Sequence, residues 1–155
     1  GLLGGGLAAA VVAYFEEAIA TVVLLAAFIP AVVYLADAVG SQTQTLLIRS
    51  LAVTPETSYK KYLTKELLVT LGIATLLALL VGISVWYFLA DLTLVYILSL
   101  TALSTILVTA VISVTLPFLF RLFGSDPAVA SGPLATVIRD VSSLLIYFAI
   151  AILFI

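Results

Sequence analysis

The chain has 155 residues, 65% of them hydrophobic and only 9% charged, with a net charge of −2 and a mean hydropathy of +1.38. A soluble domain carries about a quarter of its residues as charges, so this composition describes an integral membrane protein, and no basic patch supports nucleic-acid binding. There is no Cys, His or Met, which excludes disulfides, protein-ligated haem, iron–sulfur centres and N/S-ligated zinc, and removes the usual general acid–base residue.

Five hydrophobic segments follow one another, and the expected fold is an all-α bundle of five transmembrane helices forming a single domain over residues 1–155. The first covers residues 2–15, is barely long enough to span, and is closed by Glu16 and Glu17. It lacks the basic flank and cleavage site of a signal peptide. The missing initiator Met suggests a fragment or a processed product. The second runs over residues 18–53, about 54 Å as straight helix against a hydrocarbon core of about 30 Å. It must tilt, kink at Pro30 or protrude. A loop, TPETSYKKYLTKE (54–66), leads to the third segment, 67–90, and Asp91 marks the turn to the fourth, 92–123. The fifth, 133–155, opens on Pro133, a residue suited to a first helical turn.

Lys60, Lys61 and Lys65 lie in the second connection and Arg121 near the fourth, whereas the alternate connections hold only Glu16, Glu17 and Asp91. By the bias of Lys and Arg toward the cytoplasmic side, the N-terminus is inside and the C-terminus outside, in a multi-pass protein of the cell membrane.

Two acids fall within apolar spans, Asp37 and Asp140, and each follows a proline by seven residues. A charge at the bilayer centre costs about 2.5–3.5 kcal/mol on insertion scales, so such acids face a partner or water. Thr136, Ser143 and Tyr147 share a helical face with Asp140; Tyr34, Ser41 and Gln44 share one with Asp37. Two facing stripes of this kind would line a wet, electronegative path. The alternative for Asp37 is a place at the inner membrane edge. The Thr101, Thr105, Thr109, Ser113 stripe reads as close packing or bonding to its own backbone. Arg139 lies about 9 Å along the helix from Pro133 and is expected to snorkel to the cytoplasmic surface, or else to neutralise a carboxylate, which would weaken the cation-path reading. All candidate ligands are oxygens, which suits hard cations such as Mg²⁺, Ca²⁺, Mn²⁺ or Na⁺.

The stretch DPAVASGPLATVIRDVSSLLIYFAIA (126–151) resembles the last-helix signature of the MgtE/SLC41 magnesium channels and transporters. IPAVVYLADAVGSQTQTLLIRSLAV (29–53) resembles that family's proline-led second helix. The chain departs from the pattern at Asp37, at Gly132, where an Asn is familiar, and at Ser143, where a Gly is usual. The resemblance implies a homodimer in the lipid bilayer, with the ion path at its two-fold axis. It implies Mg²⁺ as the ion bound and transported, Asp140 as the pore acid that holds hydrated Mg²⁺, and Asp126 as an acid at the cytoplasmic mouth. Backbone carbonyls near Thr136 and Gly132 would supply outer contacts. The family's cytosolic regulatory domains are not in this chain and would be deleted or separate. The rival readings are a Na⁺- or H⁺-coupled Mg²⁺ exchanger of the same fold, with Asp37 as the coupling group, and a non-conducting structural membrane subunit. An intramembrane enzyme is not expected.

Overall fold

The computed structural model describes residues 1–15 and 23–154, all helices and connections. The expected end of the first segment at Glu16 and Glu17, and the start of the second near Ala18, lie outside the described residues. The helices are α1 (Leu2–Tyr14), α2 (Val23–Val53), α3 (Tyr59–Leu89), α4 (Leu92–Leu122) and α5 (Pro133–Phe154), with a 3-10 segment (Pro127–Ser131) before α5. Among the described residues, four stretches are long and apolar enough to cross a membrane: Leu24–Val53, Tyr59–Leu89, Leu92–Leu122 and Pro133–Phe154. The 13 residues of α1 reach only about 20 Å, short of a hydrocarbon core of about 30 Å.

Local chemistry explains the ends. Pro55 follows the last backbone bond of α2, from Thr54 N–H to the Ser50 carbonyl, and has no N–H with which to continue it. The α3–α4 turn is two residues: Ala90 adopts φ 50°, and the Asp91 side chain accepts from the N–H groups of Thr93 and Leu94 at 2.8 and 3.1 Å. That cap satisfies two otherwise unpaired donors of α4. At the far end of α4, Gly124 takes φ 71°. Gly124 N–H then donates to the Arg121 carbonyl and Ser125 N–H to the Phe120 carbonyl, the paired bonds of a left-handed helix stop that favours glycine.

One boundary differs from expectation. The charged run read as loop through residue 66 is already helix from Tyr59, so Lys60, Lys61 and Lys65 ride the first two turns of α3. Lys, Tyr, Thr and Glu all tolerate helical geometry; their charge marks where the helix leaves hydrocarbon, not where it begins.

Helix α4 is the centre of the bundle, packing on α3, α2 and α5, while α1 rests on α5. Its inner face is made of small residues, among them Thr101, Ala102, Thr105, Thr109, Ala110 and Ser113, all buried. Small side chains let membrane helices approach closely. The Thr105 hydroxyl donates to the Thr101 carbonyl at 2.7 Å, whereas the buried hydroxyls of Thr101, Thr109 and Ser113 have no hydrogen-bond partner among the described residues.

Two apolar clusters close the ends of the bundle. One gathers Leu25, Val32, Ile97, Leu98, Tyr147 and Phe148; the other gathers Leu47, Leu51 and Val114 with Tyr59 and Phe118. Between them, at the middle of α2 and the first half of α5, the interior turns polar.

Candidate functional site

The polar layer begins with spacing. Asp37, Ser41 and Gln44 recur at intervals of four and three along α2, and Thr136, Arg139 and Ser143 at intervals of three and four along α5. Both intervals place side chains on one helical face.

Arg139 joins the two helices. Its Nε and Nη2 donate to Asp37 Oδ1 at 2.9 and 2.7 Å. Its Nη1 donates to Gln44 Oε1 at 2.7 Å, and its Nη2 also reaches Ser41 Oγ at 3.0 Å and Thr136 Oγ1 at 3.4 Å. Arg139 is 2% exposed and Asp37 34%. The expected snorkelling therefore does not occur: Arg139 points into the bundle, and the alternative reading, neutralisation of a carboxylate, is the one the structure adopts. The partner is Asp37 on α2. A guanidinium carries five donors in a rigid fork and cannot be stripped of its proton, so burial requires acceptors on several sides. Asp37, Ser41 and Gln44 provide them.

Gly40 makes room for this arrangement. A Cβ there would collide with the Thr109 methyl and approach Arg139 Cδ at 2.8 Å and Ser113 Oγ at 2.9 Å. The missing side chain lets α2 close on α4 while the Arg139 stem passes between them.

Asp140 is the next residue along but points about 100° away around the helix. It is half-buried, lies within electrostatic reach of both Asp37 and Arg139, and accepts no hydrogen bond from the described residues.

The remaining candidates are placed as follows. Asp126 is exposed, and its side chain accepts from Ala128 N–H at 2.8 Å, capping the 3-10 segment. Gly132 ends that segment, and its carbonyl accepts from Ala135 N–H at 3.1 Å. Thr136 is half-buried at the edge of the Arg139 network. Ser143 is buried, and its hydroxyl has no hydrogen-bond partner among the described residues. Tyr147 is also buried, inside the apolar cluster, where its hydroxyl donates to the Leu25 carbonyl at 2.6 Å and ties α5 to α2. Gln44 is 2% exposed and held by Arg139. Among the described residues no three acidic side chains gather in a metal-holding group.

Sequence reasoning missed the bond from Thr43 Oγ1 to Glu66 Oε1, 2.7 Å, which links α2 to α3. It sits one residue from Gln44 yet faces another neighbour, a difference a helical wheel shows only once the packing partners are known.

Residues 29–150, which include the whole polar layer, match the MgtE family, described as divalent cation transporters. The chain is similar to the magnesium transporter MgtE of Bacillus subtilis, at 31% identity over 100% of this chain and 34% of that protein. It is also similar to the magnesium transporters MgtE of Enterococcus faecalis, 31% identical over 94% of this chain and 33% of that protein, and of Thermus thermophilus, 31% identical over 97% and 34%. The chain spans about a third of the length of these curated relatives.

Proposed function

Since this chain belongs to the MgtE family of divalent cation transporters and is a multi-pass membrane protein, we propose that it forms the ion path of a Mg²⁺ channel or transporter. The path runs between two copies of the chain, related by a two-fold axis beside α2 and α5. The observation that carries this reading is Asp140, a half-buried carboxylate on a membrane-capable helix with no hydrogen-bond donor among the described residues. A hydrocarbon-facing acid without a partner is costly, so the fold has a reason to keep one where a cation passes.

Mg²⁺ gives up its water reluctantly and is commonly held by one or two carboxylates acting with water. Two symmetry-related Asp140 side chains supply two negative charges for one divalent ion, and Thr136 lies one turn away to contact its hydration shell. Asp126 stands at the mouth, in the connection just beyond the end of α4. Asp37 is held back from the ion by Arg139. That pairing disfavours the coupled-exchanger reading, in which Asp37 is an open Na⁺ or H⁺ site.

The membrane orientation belongs to the same proposal. Five of the six Lys and Arg residues, namely Arg49, Lys60, Lys61, Lys65 and Arg121, lie at the bundle end formed by the α2–α3 and α4–α5 connections, and Asp91 lies at the other. The first end is cytoplasmic, which puts the C-terminus outside; the proposal adds that α1, although short, crosses as the fifth membrane element and so puts the N-terminus inside. Mg²⁺ uptake into proteoliposomes carrying the wild-type protein or Asp140→Asn tests the function.

A further inference from the structure

We infer that Arg139 sets the net charge of the ion path: it is a built-in cation that neutralises Asp37, so that each subunit offers the passing ion a single net negative charge, that of Asp140. The inference rests on the proposed path between two Asp140 residues and adds to it the charge count that governs how tightly the ion is held.

The geometry leads there in three steps. Asp37 and Asp140 are both partly exposed, on adjoining helices, and Arg139, which binds Asp37, is the residue next to Asp140 in the chain. Without Arg139 the two subunits would present four carboxylates to one divalent ion. An ion path must bind well enough to admit the ion and weakly enough to release it, and four negative charges in a poorly solvated space favour retention. Arg139 is 2% exposed against 34% for the acid it binds, so it lies deeper in the protein than Asp37. It therefore cancels charge without standing in the way of the ion. Its Nη1 also donates to Gln44 and its Nη2 to Ser41 and Thr136, and Gly40 clears space for its stem, so the guanidinium is held in place and always charged.

A structural tether and a charge-setting residue predict different patterns. The measurement is the MgCl₂ concentration at half-maximal rise in unfolding temperature of the purified full-length protein in detergent, at constant ionic strength. It is paired with Mg²⁺ flux in proteoliposomes. Arg139→Gln adds one net negative charge per subunit and should lower the midpoint about tenfold while slowing flux at saturating Mg²⁺. Asp37→Asn leaves Arg139 as net positive charge and should raise the midpoint by at least as much. The double variant Asp37→Asn/Arg139→Gln restores the charge and should return the midpoint close to wild type. Single substitutions that shift the midpoint in the same direction, or whose effects add in the double variant, would overturn the inference. Should Asp37→Asn fail to fold, because it strands the buried guanidinium, Arg139→Gln against the double variant carries the same test, tightening followed by restoration. Asp140→Asn is the control. Loss of Mg²⁺ protection there, with same-direction shifts in the charge variants, overturns the role of Arg139 alone. Unchanged protection overturns it together with the ion path on which it rests.

Discussion

Arg139 on α5 gives two hydrogen bonds, 2.9 and 2.7 Å, to a single carboxylate oxygen of Asp37 on α2. The two partners are not equally buried, at 2% and 34% exposed. Removing the carboxylate strands a fully buried guanidinium, whereas removing the guanidinium leaves an acid that still reaches the surface. Breaking a buried pair from one side costs about 3–5 kcal/mol, and partial exposure reduces the cost. Asp37→Leu should therefore destabilise more than Arg139→Met, and the double replacement less than Asp37→Leu alone. Thermal unfolding in detergent gives the ranking; equal losses from the two single variants would contradict it.

Gly40 should be intolerant of even one added methyl group. The new Cβ would meet Thr109, Arg139 and Ser113 at once, and overpacking of this kind costs about 1–3 kcal/mol. Gly72 is the matched control, with nothing within 4 Å of the position a Cβ would take. Gly72→Ala should be neutral or slightly stabilising, since alanine favours the helix. A Gly40→Ala variant that melts at the wild-type temperature would show that α2 and α4 are not closely packed there.

Much of this architecture was legible in the sequence. The apolar runs mark the four long helices, Asp91 marks a turn because a carboxylate caps a helix start, and Pro133 marks a start because its missing N–H costs nothing there. The beginning of α3 was not legible, because Lys60, Lys61 and Lys65 signal water and water does not end a helix. For Arg139, spacing established only that it diverges from Asp140 around the helix. Which of the two turned inward depended on Gly40 opening a passage and on Asp37, Ser41 and Gln44 waiting on α2, a three-dimensional coincidence of residues distant in the chain. Tyr147 shares a face with Asp140 on a helical wheel, yet its ring reaches the apolar cluster and its hydroxyl the Leu25 carbonyl.

The orientation can be read with one cysteine, because the chain contains none. Ser58, at the start of α3 beside the lysines, should as Ser58→Cys resist an impermeant thiol reagent in intact cells and react after permeabilisation. Labelling of intact cells would invert the topology and move Asp126 to the outer mouth.

The two-fold axis beside α2 and α5 predicts which positions meet across subunits. Thr136→Cys should form an inter-subunit disulfide under mild oxidation more readily than Leu79→Cys, which is exposed on α3. The reverse order would place the axis on the other side of the bundle.

Asp140 carries the central claim. Asp140→Asn keeps the shape of the side chain and removes the charge, and in a symmetric path both copies vanish together. Attraction of about 4 kcal/mol per charge pair at 4 Å and an effective dielectric of 20 sets the scale. A net loss of about 3 kcal/mol weakens binding roughly 150-fold. The variant should insert and assemble normally, since a lost intramembrane charge relieves a cost. The decisive measurement is Mg²⁺ uptake into proteoliposomes, with assembly checked in the same preparation. The account predicts that assembled Asp140→Asn takes up little or no Mg²⁺ at concentrations where the wild type transports; uptake at the wild-type rate would contradict it.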